Sequence, residues 1–150
     1  MKNLTSLDLK CSQFFSSESV KYIANSEHLK NLISLNLADN GIDNECAKYV
    51  ANSECLKNLI YLKLKFNKIG SEGVRHFANS EWLTNLTTLD LADNQIGNEG
   101  VKYIATSECF MNLTSLNLEC IFVGDEGVKY LAKSEWLKKL TSLDLAGDYT

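Results

Sequence analysis

Two short patterns of apolar and polar positions recur along this chain. The stretch Leu86–Leu91 reads L-T-T-L-D-L, and its alternation of leucine with polar residues predicts a short strand with one apolar face. Further along, Val101, Ile104 and Ala105 stand at positions i, i+3 and i+4, which is the spacing of one buried face of a helix. The pattern therefore predicts a strand followed by a helix, each with one side to bury.

This strand-and-helix pattern repeats along the whole chain. The string L-K-N-L-I-S-L-N-L-A-D-N-G-I begins at Leu29 and returns in similar form at steps of 27 residues, while one step of 28 residues separates it from an earlier copy. The copies begin at Met1, Leu29, Leu56, Leu83, Phe110 and Leu137. Because one unit cannot bury its leucines alone, the stacked units are expected to share one continuous core.

The shared core L-x-x-L-x-L-x-x-N-x-I resembles the leucine-rich repeat over essentially all 150 residues. The segment between cores, G-S-E-G-V-R-H-F-A-N-S-E-W at 70–82, is similar to that of the ribonuclease-inhibitor-like subfamily, and the 27-residue units resemble bacterial proteins. The resemblance implies a right-handed α/β solenoid, or horseshoe, with a curved parallel sheet of six short strands on the concave side and about five helices on the convex side. It implies a binding module, without naming the ligand.

We expect residues 1–150 to form a single leucine-rich repeat domain without dedicated caps, with repeat cores starting at about 4, 32, 59, 86, 113 and 140. The chain opens on one predicted strand and stops after another, so each terminal repeat would expose apolar core and an unpaired strand edge. The sequence thus predicts either a fragment of a longer array or self-association through the uncapped ends, which sedimentation at rising protein concentration tests.

Aligned columns of small and polar residues are predicted to hold the stack together. An asparagine after each strand is expected to pair buried loop backbone groups; the column holds Asn40, Asn67 and Asn94, with Ser12 and Asp148 as partial substitutes and Ile121 as none. A serine is expected to cap the turn into the next strand at Ser26, Ser53, Ser80, Ser107 and Ser134. Small residues are expected to let helices approach at Gly73, Gly100, Gly127 and Cys46. Helix N-caps are predicted at Ser71, Asn98 and Asp125.

Composition narrows the classes of partner. The net charge is -4 at pH 7 and the pI is about 5.2, which argues against general binding to nucleic acid, where phosphate neutralisation dominates the affinity. The same charge argues against a polybasic membrane anchor, and no apolar run reaches the ~20 residues of a membrane-spanning helix. We therefore expect a protein partner, with neither nucleic acid nor membrane bound.

The five cysteines favour a reducing compartment. Their number is odd, no C-x-x-C occurs, and their spacings fit no zinc site, so we interpret them as small hydrophobic residues. A cytoplasmic or otherwise intracellular location follows from this interpretation. Delivery of a bacterial effector into a host cell is compatible with it.

Residue types suited to catalysis are sparse. The two histidines, His28 and His76, take positions filled by Cys, Trp or Tyr in other repeats, and no nucleophile is predicted beside either. The acidic residues of the inner face are expected to form a solvated surface, since positions two strands apart are separated by about 10 Å. These residues are Asp8, Asp39, Asp90, Asp93, Glu119 and Asp144. No catalytic, metal-binding or cofactor-binding residue is predicted.

The third repeat departs from the others at the positions predicted to face the concave side. The other repeats fill these positions mainly with Thr, Ser, Asp, Asn and Ala, whereas the third carries aromatic and basic residues, which are typical interface anchors. The candidate partner-binding residues are Tyr61, Lys63, Lys65, Phe66 and Lys68, flanked by Asp90, Asp93, Asn36 and Asp39. A basic strand between acids favours a partner of mixed charge, and sequence drift without function is the alternative.

Two other surfaces stay open as candidates. The segment E-C-I-F at 119–122 also departs from the repeat, and either local rearrangement or binding accounts for it. A row of tyrosines follows the helices, at Tyr22, Tyr49, Tyr103 and Tyr130. This row either covers the aliphatic stems of neighbouring lysines or forms a second binding surface.

These patterns predict a non-enzymatic protein–protein interaction module that binds its partner through the concave face. The alternative is the targeting or substrate-recognition part of a larger enzyme, such as a ubiquitin ligase or a GTPase regulator, whose catalytic part lies outside this chain. A structural spacer without a dedicated partner is the third possibility. A catalytic segment adjoining this chain would favour the enzyme-associated alternative.

Overall fold

The computed structural model describes residues 3–12 and 16–147 of the chain. These residues form six strands: β1 (Ser6–Asp8), β2 (Ser34–Asn36), β3 (Tyr61–Lys63), β4 (Thr88–Asp90), β5 (Ser115–Asn117) and β6 (Ser142–Asp144). Between them lie five α-helices: α1 (Ser17–Ala24), α2 (Asn44–Ala51), α3 (Ser71–Ala78), α4 (Gly97–Thr106) and α5 (Asp125–Ala132). Single 3-10 turns lead towards β2, β3 and β5, at Glu27–Leu29, Glu54–Leu56 and Glu108–Phe110.

The strands form one parallel sheet in chain order, from β1 to β6. The same register holds throughout, so that Leu35, Leu62 and Leu89 align with one another across β2, β3 and β4. All three leucines are at most 1% exposed. With a helix between consecutive strands, the predicted α/β solenoid is confirmed.

The helices pack on one face of the sheet and leave the other face open. Val101, Ile104 and Ala105, the predicted buried face of α4, are at most 2% exposed. Because helices are about 10 Å wide and strands lie about 4.8 Å apart, the stack curves with the open face of the sheet inside; we call this the concave face. In the described part of the chain, no helix combines the length and the apolarity needed to cross a bilayer.

The asparagine column is confirmed as a structural support. Asn67 Oδ1 accepts hydrogen bonds from the backbone N–H groups of Asn40 and Ile42, at 3.1 and 2.9 Å. Its Nδ2 donates to the carbonyls of Leu37 and Leu64, at 3.1 and 2.8 Å. One side chain therefore satisfies backbone groups of two consecutive repeats, which would otherwise be buried without partners.

The substitutes in this column differ from one another. At Ser12 the backbone N–H, rather than the hydroxyl, bonds to Asn40 Oδ1 at 2.9 Å. Ile121 is fully buried, and its carbonyl accepts from the N–H of Gly97 at 2.8 Å. Asp148 lies outside the described residues.

Three of the five serines in the predicted column cap their turns and also join consecutive repeats, whereas the side chains of Ser26 and Ser53 make no capping bond. Ser80 Oγ accepts from the N–H groups of Trp82 and Leu83, each at 3.2 Å. The same hydroxyl donates to the carbonyl of Ala51, at the end of the preceding helix, at 2.5 Å. Equivalent pairs of bonds are made by Ser107 and Ser134. The carbonyl groups at the helix ends, which lack partners within their own helix, are satisfied in this way.

The predicted helix N-caps are wrong. Ser71 and Asp125 are the first residues of α3 and α5, and Asn98 lies inside α4. Asn98 instead serves the next helix, because its Oδ1 accepts from the N–H groups of Gly124 and Gly127 at 2.9 and 3.0 Å. Consecutive helices lie side by side, so a side chain in the first turn of one reaches the first turn of the next.

The glycines on the helix flank are confirmed as points of close approach. A Cβ atom at Gly73 would lie 2.7 Å from Asn44 Oδ1 and 2.8 Å from the Ile69 side chain. Asn44 Oδ1 accepts from the N–H groups of Gly70 and Gly73 at 2.8 and 3.0 Å. The missing side chain is what allows the asparagine of one repeat to reach the helix of the next.

The last described strand is far more exposed than its equivalents. Among the described residues β6 pairs with β5 alone, and Leu143 is 42% exposed, whereas Leu116 in β5 is 1% exposed. An apolar surface of this kind is consistent with association through an end of the solenoid. Self-association through the ends stays a prediction.

All five cysteines are free thiols, and two of them, Cys46 and Cys109, are buried in the core. Burial raises the pKa of each to about 11. Both thiols are therefore uncharged at neutral pH, as expected for small hydrophobic residues.

Candidate functional site

The departing side chains of the third repeat lie together on the concave face. Because Leu62 points into the core, its neighbours Tyr61 and Lys63 point away from it, and Tyr61 is 45% exposed. The sheet register places Lys63 between Asn36 and Asp90. One aromatic and one basic side chain thus stand among polar neighbours.

Phe66 has a backbone conformation that rarely suits an aromatic residue. Its φ is 55°, in the left-handed region, where Asp39 and Asp93 also lie at the same position of the neighbouring repeats, with φ of 56° and 53°. Aspartate tolerates this region, but for a bulky residue it costs about 1–2 kcal/mol. The ring is 53% exposed, so burial in the core offsets little of this cost. The same conformation recurs at this position in Cys11 and Cys120, with φ of 57° and 54°, so the conformation belongs to the repeat and the departure of the third repeat lies in the residue type.

Lys65 connects the third repeat to the two repeats that follow. Its Nζ lies 3.4 Å from Asp93 Oδ2, 3.1 Å from Glu119 Oε2 and 4.9 Å from the centroid of the Phe66 ring. The hydrogen bond to Glu119 is the main cause that raises the pKa of Lys65, and the bond to Asp93 adds to it. Ala92 stands between Lys65 and Glu119 in the sheet, and its small side chain leaves room for this reach.

Glu119 is the residue that sequence reasoning left out of this surface. The sequence places Glu119 on the solvated acidic inner face and in the separate segment 119–122, but not beside Lys65. The signal was present, because Glu119 occupies the same repeat position as Lys65, two repeats later. The surface therefore extends from the third repeat to the fifth.

Asn36 and Asp39 face the first repeat instead. Asn36 Nδ2 donates to Asp8 Oδ2 at 3.1 Å, and Cys11 Sγ donates to Asp39 Oδ2 at 3.1 Å. These two predicted site residues are therefore engaged with partners of their own, away from the cluster around Lys65.

Lys63 and Lys68 are the cations of this surface that make no salt bridge within the described part of the chain. Both are exposed. The charge of Lys63 contributes to the lowered pKa of Asp8 and opposes the rise in the pKa of Asp90. Two ammonium groups thus remain available for the carboxylates of a partner.

Asp90 is the partly buried carboxylate beside Lys63. Burial raises the pKa of Asp90, and this effect outweighs the hydrogen bond from the N–H of Ala92 and the charges of Lys65 and Lys63, which act in the opposite direction. Asparagine fills the same position at Asn36 and Asn117 and makes the same backbone hydrogen bond.

We expect Asp90→Asn to raise the free energy of unfolding at neutral pH. The pKa of Asp90 is higher in the folded state than in the unfolded state. The parent therefore loses stability as the pH rises from the unfolded-state pKa through the folded-state pKa, and the neutral amide avoids that loss. The gain is expected to be roughly 0.5 kcal/mol, the usual scale of a surface substitution. Urea unfolding of both proteins measures it, and the gain should shrink between about pH 7 and about pH 4. A gain that grows towards acid pH would contradict this assignment.

The described residues that could perform chemistry are dispersed. His28 is exposed, and His76 Nε2 lies 3.8 Å from Glu72 Oε1 on the convex side. Within residues 3–12 and 16–147, no group of three or more His, Cys, Asp or Glu side chains is arranged to hold a metal ion.

One tyrosine of the row on the convex side lies beside a lysine, which does not decide between the two alternatives for the row. The Nζ of Lys21 lies 5.8 Å from the centroid of the Tyr49 ring. Tyr22, by contrast, is 71% exposed, and its hydroxyl donates to Glu18 Oε1 at 3.4 Å. Tyr22 is therefore an exposed aromatic residue remote from the concave face, and a natural control for Tyr61.

The sequence matches a protein-family model described as Leucine Rich repeat. The matched segments are residues 28–51, 55–78, 83–105 and 111–132, which together make up more than half of the chain. A comparison with curated proteins found no significant match.

Solved structures share the fold at low sequence identity. The leiomodin-1 actin-binding site 2 is 18% identical with a TM-score of 0.54, and the match covers 99% of this chain and 73% of that one. The chain in the TLR13–ssRNA13 complex is 19% identical with a TM-score of 0.54, over 96% of this chain and 23% of that one. An internalin (inlF) from Listeria monocytogenes is 21% identical with a TM-score of 0.48, over 97% of this chain and 49% of that one. This chain thus spans less than half the length of the last two.

Proposed function

Because the chain belongs to the leucine-rich repeat family, we propose that it is a non-enzymatic protein–protein interaction module that binds its partner through the concave face. The observation that carries the proposal is the contrast between the third repeat and its neighbours. Tyr61 and Phe66 are about half exposed, where the two flanking repeats hold polar residues, and an aromatic residue exposed beside lysines is typical of interface anchors.

The backbone at Phe66 adds to this argument. An aspartate at this position would fit the left-handed conformation, as Asp39 and Asp93 do, so the phenylalanine lowers stability without filling the core. A residue that costs stability and remains exposed is most simply explained by a contact with another molecule. The leiomodin-1 fragment that shares the fold is an actin-binding site, which supports a protein as the class of partner.

We assign the chain, within this proposal, to the ribonuclease-inhibitor-like subfamily with 27-residue repeats. Thr114 Oγ1 donates to the carbonyl of Thr87, 27 positions earlier, and Thr141 Oγ1 donates to that of Thr114, again 27 positions earlier. A regular α-helix between consecutive strands, such as α3 with its 8 residues, supports the same assignment.

The experiment compares the parent chain with a variant reverted to the repeat pattern. The reverted variant carries Tyr61→Thr, Lys63→Asn, Lys65→Ala, Phe66→Asp and Lys68→Gln, each a residue that a neighbouring repeat holds at that position. Both proteins, immobilised at equal density, are incubated with the same lysate, and the retained proteins are quantified by mass spectrometry. We expect a protein retained by the parent and lost from the reverted variant, followed by saturable binding of that purified protein to the parent alone. Equal retention on both would contradict the proposed surface.

Nucleic acid is outside the proposed partners. The TLR13 neighbour was solved in complex with single-stranded RNA, but this chain has a net charge of -4, and Asp93 and Glu119 already neutralise Lys65. Fluorescence anisotropy with a labelled single-stranded RNA should therefore show no saturable binding at physiological salt. Saturable binding that the reverted variant loses would replace the protein partner with RNA.

A further inference from the structure

We propose that the contact surface continues over the edge of the sheet where the strands begin, and that a groove between Ile33 and Ile60 takes an apolar side chain from an extended, acidic segment of the partner protein. This inference rests on the proposed function and deepens it. It adds two contact residues and states the chemistry of the partner segment.

The groove lies directly beside the start of β3. It has a volume of about 570 Å³ and is lined by Thr5, Asn31, Ile33, Asn58, Ile60 and Asn85. Ile33 is 36% exposed, and Ile60 precedes Tyr61 in the chain. The groove therefore begins one residue before Tyr61, which is not itself among the lining residues.

The isoleucines depart from the repeat in the same way as the aromatic residues. The other four repeats hold threonine at this position, at Thr5, Thr87, Thr114 and Thr141. In the fifth and sixth repeats the threonine hydroxyl donates to the carbonyl of the preceding threonine, at 3.2 and 3.1 Å. Isoleucine cannot make this bond, so Ile33 and Ile60 give up a link between repeats.

Backbone hydrogen bonds join the first three repeats at this position without the threonine hydroxyl. The carbonyl of Thr5 accepts from the N–H groups of Ile33 and Ser34, and the carbonyl of Ile33 accepts from those of Ile60 and Tyr61, at 2.8 to 3.0 Å. The aliphatic side chains of Ile33, which is exposed, and Ile60, which is half-buried, thus play no part in pairing the backbones of these repeats. Two adjacent departures that both add apolar area beside Tyr61 are explained together by one apolar ligand group.

Amide groups beside the isoleucines suit an extended backbone. Asn58 Nδ2 donates to the carbonyl of Lys30 at 2.8 Å, and Asn85 Nδ2 donates to that of Lys57 at 3.0 Å. Each amide retains a second N–H and an oxygen, which is the donor and acceptor pair that a peptide group complements. The groove therefore combines an apolar surface with two amide side chains that can hydrogen-bond to the backbone of a bound peptide.

The charges along β3 set the remaining chemistry of the segment. Lys65 is neutralised by carboxylates of this chain, but Lys63 and Lys68 make no salt bridge within the described residues. An extended chain advances about 3.3 Å per residue, so a segment that runs from Ile60 to Lys68 spans at most about 26 Å, or nine residues. A segment of this length, with one apolar residue at the groove and carboxylates opposite the lysines, matches the surface in both charge and shape.

The test uses random peptides of about 12 residues, which are long enough to cross the sheet when extended, displayed on phage and selected on the immobilised full chain. We expect the enriched sequences to combine an apolar residue with Asp or Glu a few positions away. Synthetic peptides of the enriched sequence should bind the parent and lose at least about tenfold in affinity to the variant Ile33→Thr with Ile60→Thr. Both changes restore the residue of other repeats, so thermal unfolding of this variant should match the parent.

The control is Thr114→Ile, which adds an isoleucine at the same repeat position away from the groove and should leave the peptide affinity unchanged. Failure of this inference is distinguishable from failure of the proposed function. Peptides that bind the groove variant as tightly as the parent, yet lose affinity to Tyr61→Thr, would overturn the groove alone. Peptides indifferent to both variants would overturn the groove and count against the surface around Tyr61. A selection without enrichment, or one that enriches only basic sequences, would also overturn the inference.

Discussion

Asn94→Ala is expected to lower the free energy of unfolding by about 3 kcal/mol or more. The side chain is 2% exposed; its Oδ1 accepts from the N–H of Ile69 at 2.9 Å. Its Nδ2 donates to the carbonyls of Leu64, Leu91 and Ala92 at 2.9, 2.9 and 3.1 Å. Alanine would leave the N–H of Ile69 and the carbonyl of Leu91 buried without partners, and each such group costs about 1–3 kcal/mol. The carbonyls of Leu64 and Ala92 keep their bonds from Asn67 Nδ2 and from the N–H of Phe66.

Urea denaturation followed by circular dichroism measures the loss. The matched control is Asn58→Ala, because Asn58 is exposed and makes a single side-chain bond, to the carbonyl of Lys30. The control should lose no more than about 1 kcal/mol. Similar losses for the two variants would show that the asparagine column does not support the stack in the way described.

Tyr61→Thr combined with Phe66→Asp is expected to weaken partner binding by about 4 kcal/mol, or about 1000-fold. The estimate assigns about 2 kcal/mol to each aromatic anchor. Both side chains are exposed in the free protein, and both replacements are the residues that the fourth repeat holds, at Thr88 and Asp93. Isothermal titration calorimetry with the purified partner measures the change.

Stability separates a lost contact from a lost fold in this experiment. Phe66→Asp alone should leave the free energy of unfolding unchanged or raise it by up to about 1 kcal/mol, since aspartate tolerates the left-handed backbone. Tyr22→Ala removes an exposed aromatic residue from the convex side and should leave the affinity unchanged. A double variant that binds as tightly as the parent, or weaker binding in Tyr22→Ala alone, would move the contact away from the third repeat.

The sheet could be predicted from the sequence because one short pattern determines both the strand and its neighbours. Once Leu62 and Leu89 are recognised as equivalent positions, their alignment follows from the constant repeat length. The asparagine and serine columns followed for the same reason, since a polar residue that recurs beside buried backbone has a structural role. Repetition turns local patterns into predictions about contacts far apart in the chain.

The helix caps could not be predicted in this way. A search for a capping oxygen directly before each helix selected Asn98, but the group that Asn98 caps belongs to the following helix, at Gly124 and Gly127. That contact depends on how closely the two helices lie side by side. The glycine at the point of contact is the available signal in the sequence, but it predicts only that neighbouring helices pack closely.

The sequence predicts the residue types of the candidate surface but not their contacts with one another. The sequence groups Lys65 with Lys63 as basic residues of the third repeat, whereas the structure places the Lys65 ammonium group between Asp93 and Glu119. Comparing aligned positions in adjacent repeats predicts only contacts between those repeats. The side chain of Lys65 is long enough to pass the small Ala92 and to reach Glu119, two repeats later. The backbone strain at Phe66 likewise required the φ angle, since sequence alone does not give the conformation of the column.

The most direct measurement of the central claim is site-specific photo-cross-linking. A photoreactive phenylalanine analogue placed at position 61 keeps an aromatic ring at the proposed contact, and the same analogue at position 22 reports on the convex side. The account predicts that irradiation in lysate joins one protein to the chain from position 61, that excess unlabelled parent suppresses this product, and that position 22 gives none. The same product from position 22, with none from position 61, would contradict it.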